Sequence, residues 1–140
     1  LNLSNSNLNY IPKNIRKFTN MIKLSMCFNQ IEKLDHNSAN IPNHIEEIQF
    51  SFNRIQYISN FYFVSFKRLK ILNMSNNQIK TIDFLKYYSN NHLDLIDLTF
   101  NLIRKIDEKF VSNFNNRTIV KLFPQKIYNF DCGNLLLSNI

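Results

Sequence analysis

Asn29, Asn53, Asn77 and Asn101 recur at one constant interval, each inside the same apolar frame. No other feature of the chain restricts its fold so tightly. Count back eight, five and three positions from each Asn, then forward two and five. The slots hold Met21, Leu24, Met26, Ile31 and Leu34 around Asn29, and Ile45, Ile48, Phe50, Ile55 and Ile58 around Asn53. They hold Leu69, Leu72, Met74, Ile79 and Ile82 around Asn77, and Leu93, Ile96, Leu98, Ile103 and Ile106 around Asn101. All 20 slots are apolar in a chain that is 44% hydrophobic, an agreement that chance gives with a probability of roughly 10⁻⁷. A period in the twenties makes each unit one turn of a stacked solenoid.

The frame runs past the clean units. Leu1, Leu3, Leu8 and Ile11 fit one step back, with Ser6 in the Asn slot, one position short of a full step before Asn29. Val120, Leu122, Ile127 and Phe130 fit one step forward, with Gln125 in the Asn slot. This predicts about six strand-bearing turns, the first truncated, with atypical units at the ends. The slots at minus five and minus three alternate with polar residues, as in a short strand with one face inward. A buried amide just after the strand both donates to and accepts from the backbone of the bend. An acid there buries a charge, and an apolar side chain leaves backbone groups unpaired. On this reasoning Ser6 is a shorter substitute, and Gln125 reaches too far for the same bond.

The recurring L-x-x-L-x-L-x-x-N-x-I-x-x-I pattern resembles the leucine-rich repeat family over nearly the whole chain. The resemblance implies an α/β fold: a curved, right-handed solenoid with a parallel β-sheet on its concave face. It implies an irregular or short-helical convex side, about six turns of about 24 residues, and a ladder of stacked Asn side chains. Residues 1–130 then form the array, with a truncated first repeat, and residues 131–140 begin a C-terminal cap. The run Asn129-Phe130-Asp131-Cys132-Gly133-Asn134-Leu135-Leu136 is similar to the start of the cysteine-rich cap of extracellular members. The proline and first cysteine of that motif are missing, so a lone thiol after the last turn stands as the other reading.

With 140 residues, one glycine and no Gly/Ser-rich linker, the chain reads as a single domain or part of one. No apolar run approaches membrane-spanning length, so membrane contact is expected only through regions outside this chain. The chain starts at Leu1, inside a repeat, and reads as an excised or processed piece. The connections at about 35–44, 59–68, 83–92 and 107–117 carry Phe61, Phe63, Phe66, Phe84, Phe110 and Phe114, some of which fill the space behind the strands. Asn60–Arg68 and Lys105–Asn115 suit short helices or 3₁₀ turns, whereas the residues just before Pro12 and Pro42 do not suit helix.

No catalytic constellation emerges. His36, His44 and His92 show no metal-ligand spacing. Glu46 and Glu47 read as solvated carboxylates rather than a catalytic pair, and no Gly-rich phosphate loop or nucleophile elbow is present. No cofactor is expected. Cys27 and Cys132 make no disulfide framework, and Cys27 reads as a free thiol. Sequons at Asn2, Asn73 and Asn116 arise readily by chance in so Asn-rich a chain, and a glycan on Asn73 would obstruct the strand face.

Outward positions of stacked strands form ladders about 4.8 Å apart. Six before the Asn slot the ladder is Lys23, Glu47, Ile71, Leu95, Ile119; four before, it is Asn2, Ser25, Gln49, Asn73, Asp97, Lys121. Two before runs Ser4, Cys27, Ser51, Ser75, Thr99, Phe123, and immediately before runs Asn5, Phe28, Phe52, Asn76, Phe100, Pro124. The small Ser/Thr row suits close stacking, and the phenylalanines either stiffen the corner or serve recognition. Lys23, Glu47, Gln49, Ile71, Asn73, Leu95, Asp97, Phe100 and Lys121 are the candidate partner-binding residues, with Ile71, Leu95 and Phe100 as an apolar centre.

The formal charge of +7, from 17 basic and 10 acidic residues, raises polyanion binding as a second class. The basic residues avoid the strand face, however. Arg54, Lys80, Arg104, Lys105 and Lys126 follow the Asn slots, while Arg16, Lys17, Lys67 and Arg68 lie on connections. Nucleic acid is therefore not the expected partner. The resemblance implies a non-catalytic protein-recognition module whose partner is a protein, of a Toll-like or secreted immune-type ectodomain. An intracellular scaffold or host-directed factor is the runner-up, and the compartment stays open with the outside of the cell ahead.

Overall fold

The computed structural model describes residues 1–35, 41–104, 106, 114 and 116–125. Its main sheet is all parallel and runs β1 (Lys23–Ser25), β3 (Glu47–Gln49), β5 (Ile71–Asn73), β6 (Leu95–Asp97) and β7 (Ile119–Lys121) in spatial order. The register follows the repeat: Leu24 pairs with Ile48, Ile48 with Leu72, Leu72 with Ile96, and Ile96 with Val120. Asn2 adds an isolated bridge to Ser25 at the β1 edge. Four complete turns therefore join the five strands, where the repeat frame predicted about six. The unit after Gln125 falls outside the described residues, as do residues 131–140 and Cys132.

The apolar frame is the core. Every slot of the four clean units is buried except Ile106, which packs partly buried against the cluster. The middle residue of each of the first four sheet strands points inward, and its two neighbours point out or sit half-covered. Alternation at period two leaves one face of the sheet open on the outside of the coil.

A second ladder appears beside the first. β2 (Lys33–Leu34) and β4 (Tyr57–Ile58) pair in parallel, one repeat apart, and insert Leu34 and Ile58 into the core. On the remaining side, helical structure among the described residues is limited to two 3₁₀ segments, Lys13–Lys17 and Asp83–Leu85. The expected α/β class is corrected to that extent. Pro12 precedes the first segment, as the proline restriction requires. Across 60–68 the chain makes successive turns, with Tyr62 N–H donating to Ser59 O and Phe66 N–H to Phe63 O. Aromatic and β-branched residues there are weak helix formers, and burying Tyr62, Phe63 and Phe66 side by side fixes the backbone instead. Phe84 joins them 5.7 Å from Phe63.

The Asn side chains close the turns as their chemistry demands. Asn77 Nδ2 donates to Phe50 O at 2.9 Å and Met74 O at 3.1 Å, while its Oδ1 accepts from Ile55 N–H at 3.0 Å. Asn53 and Asn101 repeat the pattern on their own preceding turns. Asn29 does so against the first unit, accepting from Ser6 and Leu8 N–H and donating to Leu3 O. Ser6 itself is exposed, and its hydroxyl donates to Ser4 O.

Gln125 corrects the expectation that it reaches too far. Its Oε1 accepts from Ile103 N–H at 3.2 Å, and its Nε2 donates to Leu98 O at 3.0 Å and to Leu122 O. These are the Asn bonds, one turn on. The residue before each Asn rung has a positive φ, but before Gln125 stands Pro124, whose ring locks φ at a negative value. The corner is therefore shaped differently, and the extra methylene carries the amide to the same partners.

Candidate functional site

The open face of the main sheet carries eight of the nine expected residues, and its register decides which of them meet. Lys23, Glu47, Ile71, Leu95 and Ile119 stand in one row. Its first two members neutralise each other: Lys23 Nζ lies 2.7 Å from Glu47, and Gln49 Nε2 donates to the same carboxylate at 3.2 Å. The hydrogen bond from Lys23 holds the Glu47 carboxyl below its ordinary value, and the same bond raises Lys23. On the rim, Lys70 bonds Glu46 at 2.7 Å and lowers that carboxyl too. These glutamates are paired by lysine rather than by each other, an arrangement unlike a proton-sharing catalytic dyad.

The rest of that row is apolar. Ile71 and Leu95 are half-buried neighbours in register, and Ile119 beside them is 60% exposed. Ile119 is thus the register partner of Leu95, a neighbour the candidate set omitted although the ladder itself contained it. In the adjoining row, Asn73 Oδ1 accepts from Ser75 N–H at 3.0 Å, and Asp97 Oδ1 accepts from Thr99 N–H at 3.0 Å and Thr99 Oγ1 at 2.7 Å. These side chains shape the strand ends. Lys121 is exposed and in register beside Asp97. Further along, Cys27 is a free, half-buried thiol whose sulfur accepts from Ser51 Oγ at 3.2 Å.

Phe100 lies elsewhere. It sits five positions past Leu95, at the corner, where its N–H donates to Pro124 O. Asn5, Phe28, Phe52, Asn76 and Phe100 all have φ between 55° and 56° at this position. The left-handed region costs an L-residue about 1–2 kcal/mol, and Asn tolerates it better than bulky residues do. Phe28 and Phe52 stack face to face, with centroids 4.4 Å apart and planes 8° from parallel. Stacking offsets part of the strain at those two corners. Phe100 has no aromatic neighbour among the described residues and is 44% exposed.

Beyond the corner the chain runs extended with alternate residues inward. Ile55, Ile79 and Ile103 are buried, while Arg54, Lys80 and Arg104 are exposed. Lys105 and Lys126 lie outside the described residues. Among the described residues no cluster of His, Cys, Asp and Glu is suited to a metal, and no helix is long and apolar enough to cross a membrane. His36 and Phe110 are outside the described residues, while His44 and His92 sit apart on connections.

A second buried amide, invisible to the repeat frame, sits behind the strands. Asn90 Nδ2 donates to Leu69 O at 2.8 Å and Phe66 O at 3.2 Å, and its Oδ1 accepts from His92 N–H. Position 66 holds Phe, so no periodic signal marked it.

A family model described as Leucine Rich repeats (2 copies) matches residues 43–87. A search of the curated proteins found no match. The matched span takes in β3, β4, β5 and the Asn53 and Asn77 rungs, and the same frame continues on both sides of it. Repeats of this family generally mediate protein–protein interaction and are typically non-catalytic. Register, Asn ladder and family model agree that residues 43–87 are leucine-rich repeats, set in a frame that continues on both sides.

Proposed function

We propose that the chain is a non-catalytic recognition module that binds a protein partner on the open face of its main sheet, the concave face of the coil. The observation that carries this reading is the Ile71–Leu95–Ile119 row, an apolar track in strict register, half-buried at Ile71 and Leu95 and exposed at Ile119. A row of paired strands gives such side chains fixed spacing and little freedom to lose on binding. The Lys23–Glu47–Gln49 network beside it is a polar rim already satisfied within the chain. The receptor-type ectodomain reading, with further turns at both ends and a cap from residue 131, rests on the similarity of 129–136 to a cysteine-rich cap. An oxidised Cys132 in native material supports it, and a reduced one favours the intracellular scaffold.

The test is a photo-crosslinking amino acid at position 95, in the full protein in its native cells, compared with one at Tyr87 behind the strands. A discrete protein adduct from position 95 alone is the expected result. Equal labelling from both positions, or none from position 95, sinks the strand-face reading.

A further inference from the structure

We propose that the corner and flank beyond the strands, Phe52, Arg54, Lys80, Phe100 and Arg104, form a second docking edge, distinct from the strand face, for an acidic protein segment bearing apolar anchors. Two independent observations meet there. The first is the aromatic corner. Phe52 and Phe100 hold left-handed backbone that Asn76 adopts at the equivalent place between them, and both rings are exposed. A bulky side chain kept in a disfavoured conformation at the surface is expected where it does something for which Asn does not suffice.

The second observation is charge. The acidic groups Asp35, Glu46, Glu47 and Asp83 each have a lysine within ion-pair distance. Arg54, Lys80 and Arg104 have no such partner among the described residues. They project outward from the same extended flank, because Ile55, Ile79 and Ile103 take the inward positions. Lys80 and Arg104 hold equivalent places on adjacent, hydrogen-bonded turns, so the two cations leave backbones about 4.8 Å apart along the stack. Acidic residues three or four apart on a helix have Cβ atoms about 5–6 Å apart, close to that interval. Complementary charge then steers the partner, and Phe100 supplies the apolar anchor.

Nucleic acid fits the edge less well. Bases stack on free ring faces, whereas Phe28 and Phe52 each turn a face to the other, and Asn76 interrupts the row.

The experiment selects a displayed library of random dodecapeptides on the immobilised full chain. Selected peptides are then measured against R104E, the double variant K80E/R104E, F100S, F100Y and L95E. All these sites are exposed or half-exposed, and unchanged thermal melting verifies the fold. Peptides enriched in Asp or Glu together with Leu or Phe are expected. K80E/R104E weakens them about tenfold or more, F100S weakens them several-fold, and F100Y and L95E leave them unchanged. Absence of enrichment overturns the proposal, as does enrichment of peptides without acidic residues. Loss with L95E equal to that with R104E assigns the peptides to the strand face and also overturns it. Polyglutamate or oligo(dT) binding as tightly as the selected peptides, with no response to F100S, shows a bare polyanion site instead.

Discussion

At the scale of single residues, one Asn amide makes at least four hydrogen bonds in each of the four clean units. Asn77 is fully buried, ties Ile55 N–H to its own turn, and caps the carbonyls of Phe50, Met74 and Ser75. Asn77→Leu keeps much of the volume but leaves Ile55 N–H without its acceptor, whereas Phe50 O, Met74 O and Ser75 O keep bonds from Asn53, Asn101 and Phe52 N–H. One orphaned buried N–H costs about 1–3 kcal/mol, so a loss in that range is expected in urea unfolding. Asn77→Asp keeps the acceptor for Ile55 but turns the donor towards three carbonyls into a second oxygen, and it should destabilise the fold more at neutral pH than in acid. A loss under about 1 kcal/mol for the Leu variant would mean that packing alone holds the turn. Gln125 shows how far this residue-level logic reaches. The need for an amide was legible from the chain, but the length needed depended on the corner before it, and the φ of Pro124 is what made Gln the right length.

At the scale of the elements, the strands owe their order to cross-strand neighbours on the open face as well as to the core. Lys23 on β1 and Glu47 on β3 are register partners joined at 2.7 Å. Glu47 is held below its ordinary value of 4.5 by that bond, and Lys23 above its ordinary 10.5. A lowered carboxyl contributes stability that is present above the unfolded value and lost as pH falls through the folded one. A raised amine contributes stability that is present below 10.5 and lost as pH rises beyond it. The difference in urea midpoint between the native chain and Glu47→Gln should therefore be small and flat between these limits, shrinking on acidification below 4.5. A difference that persists undiminished well below that pH would show that the pair is not what Glu47 contributes. The strands were legible because period-two alternation sits inside a longer, constant repeat. β2 and β4 were not, since a two-residue strand shows too few positions to alternate, and the shared repeat position of Leu34 and Ile58 was read as core alone.

At the scale of the whole molecule, the chain is a stack in which each turn leans on its neighbours, so local stability should follow how well both sides of a turn are covered. This is why the fold was legible and the site less so. Burial repeats every turn and writes itself into the frame, while the outward rows change from Lys23 and Glu47 to Ile71, Leu95 and Ile119 with no rule beyond register. Coverage differs along the stack. Leu72 on β5 is fully buried between β3 and β6, whereas Val120 on β7 is only half-buried and both its strand neighbours are exposed. Amide exchange measured by NMR should then be slowest at the core of β3, β5 and β6. Leu98 N–H, which donates to Lys121 O across the last strand pair, should exchange at least about tenfold faster than Met74 N–H, which donates to Asp97 O in the middle of the stack. Such a gradient means that the β7 end opens locally without unfolding the array. Equal protection of the two amides would mean that the stack opens only as one unit, and that the covering of each turn does not set its local stability.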